Sequence, residues 1–158
     1  FYQLMAASKI SSSKSMGAGP SGVDFRPFRL GLSAAAYDLT SSAEQLASGV
    51  AEEADLAAFT TMRIALRAIG VSADEEGTLL AALAAIIHLG NVRFAEHRAD
   101  GKTVVAGERA GVALENASAI LGEPLGPVLT RRSMQMGAEA VVIDLRAEQA
   151  EEALQGLL

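Results

Sequence analysis

Leu83-Ala84-Ala85-Ile86-Ile87-His88-Leu89-Gly90-Asn91-Val92-Arg93-Phe94 is an alanine-rich apolar helix that stops at Gly90 and passes into an alternating strand. Followed backwards, the helical pattern runs from Ala73 to Leu89, a rise of about 25 Å at 1.5 Å per residue. Leu79, Leu80, Leu83, Ile86 and Ile87 form its greasy face, and Ala81, Ala82, Ala84 and Ala85 leave the other sides small. A helix apolar nearly all round belongs in an interior. Its alanines let neighbouring elements approach the backbone, so a large residue there clashes rather than fills space.

Upstream, Leu56, Phe59, Met62, Arg63, Leu66 and Ile69 recur every three or four residues and predict a helix from about Ala51. Gly70 suits the left-handed cap that ends it. Ser72 with Glu75 makes a capping box for the central helix, and Asp74, Glu75 and Glu76 complement its dipole. Further upstream, Ser8 to Gly22 is rich in serine and glycine, which cannot bury enough apolar area to offset ordering entropy. A flexible loop over 8–22 is expected. Gly17 to Gly22 has no following lysine and no strand-to-helix frame, so it does not read as a phosphate cradle.

Downstream, Val92-Arg93-Phe94 is expected to pair with Thr103-Val104-Val105 across a loop containing Asp100-Gly101. Gly101-Lys102-Thr103 matches the tail of a phosphate-binding loop. That motif needs a glycine where Glu96 stands and a helix after the threonine, whereas Val104-Val105 favours strand. A third helix near Ala110 to Leu121 ends at Gly122, and Pro124 and Pro127 confine the chain to a short turn or one helical turn. Leu129 to Met136 and Ala140 to Leu145 both alternate, with Gly137-Ala138-Glu139 as a hairpin connection. Val141, Ile143 and Leu145 fall on one face, leaving Arg131, Arg132 and the turn free for a partner.

The 158 residues, half of them hydrophobic, suffice for one domain with a real core. A net charge of −6 argues against nucleic acid, which requires clustered Lys and Arg. Without cysteine there are no disulfides or thiolate metal sites. No apolar run reaches the roughly 18 to 20 residues that span a bilayer, so no membrane insertion is expected and cytoplasm is the default. Phe1-Tyr2 and Leu157-Leu158 sit in apolar helix-like runs, unlike the polar linkers that bound domains, which predicts a piece of something larger. His97 is read as having no histidine or carboxylate at ligand spacing, and His88 suits a bond to a terminal helix carbonyl. No catalytic, cofactor or metal residue is assigned.

Phe1-Tyr2-Gln3-Leu4, Gly70-Val71-Ser72 with Glu75, Ala84-Ala85-Ile86-Ile87-His88-Leu89-Gly90-Asn91, Ala119-Ile120-Leu121-Gly122, Leu129-Thr130-Arg131-Arg132 and Glu148-Gln149-Ala150 occur in the order of the myosin motor head. Together they resemble its upper actin-binding subdomain, between the first and second nucleotide-sensing switches, over nearly all of 1–158. The stretch from Ser8 to Ser48 matches least. Ala153-Leu154-Gln155-Gly156-Leu157 departs from the family's Ala-Arg-Asp-Ala-Leu run, and a glycine in a helix interior costs about 1 kcal/mol.

The resemblance implies a mainly α fold with small β-hairpins (α+β), part of a larger P-loop NTPase motor. It implies an actin-activated ATPase with ATP and Mg²⁺ bound in the intact motor, and none of the nucleotide-binding motifs in this chain. The partners it implies are the actin filament and the rest of the motor domain, and the location is cytoskeletal. By similarity the actin-facing residues are Arg131, Arg132, Met134, Gln135, Met136, Gly137, Ala138 and Glu139. The alternative is a non-catalytic helical actin-binding or interaction module derived from such a head.

Overall fold

The computed structural model describes residues 1–13, 23–30, 36–40, 51–136 and 139–158. Its elements, in chain order, begin with α1 (Tyr2–Ser13), single 3₁₀ turns at Arg26–Phe28 and Asp38–Thr40, α2 (Ala51–Ala68) and α3 (Ala73–Leu89). They continue with β1 (Phe94–Glu96), β2 (Thr103–Val105), α4 (Gly107–Leu121), α5 (Leu125–Thr130), β3 (Arg131–Met136), β4 (Glu139–Asp144) and α6 (Ala147–Gln155). The described residues are mainly helical, with two antiparallel hairpins. An α+β class is therefore observed.

Helix α3 separates two hydrophobic clusters. Ala85 and Leu89 face Val92, Phe94, Leu114, Ala117, Leu129 and Leu154. Leu80, Ala84 and Ile87 face Leu4, Met5, Phe25, Phe28, Tyr37 and Phe59. An apolar surface on both sides is what an interior helix needs. The side chains divide less evenly than the sequence predicts, because Leu79 is 42% exposed whereas Leu80 is fully buried. Leu83 and Ile86 are half-buried. Ala84 and Ala85 are fully buried, as are Ala113 and Ala117 on the adjoining α4, so small side chains let these helices lie close.

The helix boundaries obey local chemistry. Gly70 at φ 93° and Gly122 at φ 75° take left-handed conformations after α2 and α4. The Ser72 N–H donates to Glu75 Oε2 at 2.9 Å, and the Glu75 N–H donates to Ser72 Oγ at 3.3 Å. Glu76 behaves differently from its acidic neighbours: it turns inward and forms a buried ion pair with Arg63 of α2. Along α2 only Phe59 and Arg63 of the predicted stripe are fully buried. Ile69, past the last turn, is 78% exposed because the helix ends at Ala68.

The composition of Ser8 to Gly22 predicts a loop, yet Ser8 to Ser13 continue α1, and Ser8 is buried. The reason is tertiary: Leu4, Met5 and Ala7 anchor α1 in the second cluster, and helix propagates from an anchored turn. Residues 14–22 lie outside the described residues. Gly156 caps the end of α6 at φ −69° and occupies no helix interior, so the expected interior cost does not arise.

His88, Gly90 and Asn91 share one structural task, holding the segments around residues 28 and 38 against the end of α3. His88 Nε2 lies 3.0 Å from the Phe28 carbonyl, in place of the terminal helix carbonyl that its position suggests. A side chain at Gly90 would bring its Cβ within 2.6 Å of Leu39 Cγ, so any larger residue there must displace the Leu39 side chain. Asn91 Oδ1 accepts from the Asp38 N–H at 2.8 Å, and its Nδ2 donates to the Ala36 carbonyl at 2.9 Å. Arg93 at 2.5 Å and Arg109 at 2.9 Å close on the Asp38 carboxylate.

Candidate functional site

The β3–β4 hairpin stands off this body. Its register pairs Arg131 with Asp144, Arg132 with Ile143, Ser133 with Val142, Met134 with Val141, Gln135 with Ala140 and Met136 with Glu139. The first strand begins later than alternation predicts, because Leu129 and Thr130 belong to α5, where Leu129 is buried in the first cluster, and the second runs one residue earlier than predicted, leaving Leu145 outside it. Pro127 sits inside that short helix rather than ending it, since a first-turn proline lacks only an N–H that would go unbonded there. Of the predicted connection, residues 137 and 138 lie outside the described residues, and Glu139 opens β4.

Opposed residues of an antiparallel pair share a face, and successive residues alternate. One face therefore carries Arg132, Met134, Val141 and Ile143, and the other Arg131, Ser133, Gln135, Ala140, Val142 and Asp144. The adjacent arginines point to opposite sides. Arg131 Nε lies 3.2 Å from Asp144 Oδ1, so a cross-strand carboxylate compensates its charge. Arg132 has no ion pair among the described residues.

Val141 and Ile143 share a face as predicted, but nothing among the described residues covers it. Met134 is 47%, Val141 38%, Val142 63% and Ile143 42% exposed. Sequence reasoning placed Val141 and Ile143 on one face but included neither them nor Val142 and Asp144 among the candidate site residues. A Val-Val-Ile run reads as a strand to be buried, and only the fold reveals that the described residues leave it exposed. Asp144 becomes legible as the partner of Arg131 once the register is known.

A family profile for the myosin head (motor domain) matches residues 1–158. The chain belongs to the myosin head family. No curated protein matches it significantly. In this myosin head chain, Gly101-Lys102-Thr103 lies in the β1–β2 connection and opens a strand. Thr103 Oγ1 donates to the Leu145 carbonyl at 2.6 Å. Neither the loop's frame nor that hydroxyl suits a phosphate and its Mg²⁺. His97, expected to have no carboxylate within reach, meets Asp100 Oδ1 at 2.9 Å because the turn folds back three residues on. No cluster of three or more His, Asp or Glu among the described residues is arranged to hold a metal ion, and none of the described helices is long and apolar enough to cross a membrane.

An open groove of about 500 Å³ runs between α4 and the segment at residues 36–38, lined by Tyr37, His88, Asn91, Arg109, Val112 and Asn116 among others. Its polar side chains serve as joints within the myosin head. His88 meets Phe28, Asn91 meets Ala36 and Asp38, and Asn116 accepts from Arg29 at 3.3 Å.

Proposed function

We propose that this chain is the part of an actin-based motor that presents the β3–β4 hairpin to the filament, with Arg131, Arg132, Met134, Gln135, Met136, Gly137, Ala138 and Glu139 at or beside the contact. ATP and Mg²⁺ serve the intact motor and are placed elsewhere in it; among the described residues, Gly101-Lys102-Thr103 opens a strand where a phosphate loop would open a helix. The motor's place is then the cytoskeleton. One observation carries this reading: a head-family chain projects a hairpin whose Met134, Val141, Val142 and Ile143 are left uncovered.

Magnitudes decide which chemistry leads. An exposed ion pair contributes about 0.2–1 kcal/mol, and Arg131 is already engaged by Asp144. Fully burying a Met or Ile side chain contributes about 1.5–3 kcal/mol, and at Met134, Val141 and Ile143, each a little under half exposed, a partner can add about half of that per residue. Apolar contact through Met134, Val141 and Ile143 therefore outweighs charge, and Arg132 tunes encounter.

The test compares Met134→Ser with Ile143→Ser against Arg132→Glu in a head carrying this chain. The apolar pair should lower actin-activated turnover at every salt concentration. Arg132→Glu should lower it mainly at low ionic strength, where screening is weakest. Turnover without actin should hold in both. If actin activation survived both variants unchanged, the hairpin would not be the contact.

A further inference from the structure

We propose that Thr103 is a positioning residue for the hairpin, its hydroxyl fixing the angle at which β3 and β4 leave the head. This rests on the reading of the hairpin as the filament-facing element. Leu145, the residue after β4, is the root of the hairpin. Its N–H donates to the Thr130 carbonyl at 2.8 Å, which closes β4 onto the last residue of α5. Its carbonyl accepts the Thr103 hydroxyl at 2.6 Å, from 42 residues away in the chain.

Thr103 is itself well founded. It pairs with Glu96 across the β1–β2 ladder, and the Phe94 N–H at the start of β1 donates to Glu151 Oε1 of α6 at 2.7 Å. Phe94 is packed with Leu125, Leu129, Ala150 and Leu154 in the first cluster. The path from Leu145 through α6, Glu151, β1 and β2 back to Thr103 is therefore a closed loop of bonded elements. Every β4 side chain is exposed, as are those from Arg131 to Gln135 in β3. A two-stranded ribbon without a packed face has no burial to set its direction. Its direction is set at its root, and there Thr103 supplies the one side-chain bond to Leu145 among the described residues.

The experiment places Thr103→Val and Thr103→Ser in a head carrying this chain. It reads the actin concentration for half-maximal activation, turnover without actin, and the thermal midpoint. Valine keeps the shape and removes the donor, so half-maximal activation should require about three- to tenfold more actin, from the worth of one hydrogen bond. Basal turnover should hold. Serine, which keeps the hydroxyl, should restore the wild-type value.

Unchanged activation in Thr103→Val, beside weakened activation in the Met134→Ser and Ile143→Ser variant, would overturn the role of Thr103 and leave the hairpin reading standing. Unchanged activation in both would remove the two together. A parallel fall in basal turnover and thermal midpoint, without rescue by serine, would assign Thr103 to stability and overturn its positioning role.

Discussion

The Nε2 of His88 lies 3.0 Å from the carbonyl oxygen of Phe28, 60 residues earlier in the chain, and the imidazole packs edge-on against Tyr37 with ring centroids 5.4 Å apart. A carbonyl only accepts, so Nε2 carries the proton. Burial holds the pKa below its ordinary value, outweighing the Phe28 bond, and the nearby Arg29 charge acts in the same direction as burial.

The sign of the pH effect follows. Above about pH 6.5 the ring is neutral in both folded and unfolded chains, and its contribution is complete. As pH falls below that value the unfolded chain takes up a proton first, so stability declines until the folded ring also titrates. Denaturation at pH 7.5 and 5.5 should show this loss, and His88→Gln, which keeps an N–H for Phe28, should reduce it. Equal losses in both proteins would place the titrating group elsewhere.

The buried pair of Arg63 and Glu76 predicts a strong asymmetry between single and double variants. Both side chains are nearly inaccessible, with Arg67 3.6 Å from the carboxylate at the rim. The hydrogen bond from Arg63 is the chief cause of the lowered Glu76 pKa. Glu76→Ala removes the carboxylate that compensates a buried guanidinium and should cost about 3–5 kcal/mol. Arg63→Leu combined with Glu76→Leu should recover most of that in equilibrium unfolding. A double variant as unstable as the single would mean that packing, rather than charge, dominates.

Helix α3 predicts a graded series. A carboxylate should cost several kcal/mol at the fully buried Leu80, less at the half-buried Leu83, and least at Leu79, which is 42% exposed. Melting of Leu80→Asp, Leu83→Asp and Leu79→Asp in the same head measures the order. A Leu79 variant as damaged as the Leu80 variant would contradict the helix orientation.

Asp144→Asn should release Arg131 from its cross-strand partner and make the hairpin more positive. Against an acidic filament surface, actin activation should improve, most at low salt, by about two- to fivefold, equivalent to the upper range of one exposed pair. Weakened activation at low salt would mean that the filament patch opposite the hairpin is not acidic.

Local chemistry made much of the fold legible. Ser72 and Glu75 announce a helix start within three residues, and Gly70 and Gly122 mark helix ends by conformations that disfavour side chains. The β1–β2 pairing was readable only in part: Thr103-Val104-Val105 forms β2 as expected, but its partner strand is Phe94–Glu96, so Val92 and Arg93 precede the ladder, Val92 being buried in the first cluster. The strand character of β2 set aside Gly101-Lys102-Thr103 as a phosphate loop. The hairpin was legible as a hairpin. Its opposed arginines followed only from register, and its uncovered Val142 and Ile143 only from the packing of everything else.

The sequence by itself determined the periodic helices, their caps, the hairpins and the myosin head membership, because each depends on residues a few positions apart or on collinear order. Tertiary structure alone decided that Ser8 to Ser13 remain helical, that Glu76 turns to Arg63, that His88 serves Phe28, and that Thr103 holds Leu145. These partners lie from 13 to 60 residues apart in the chain for the three side-chain contacts. Burial and hydrogen-bond satisfaction choose among many local options only when the whole chain is packed, so such pairings leave no trace in local pattern.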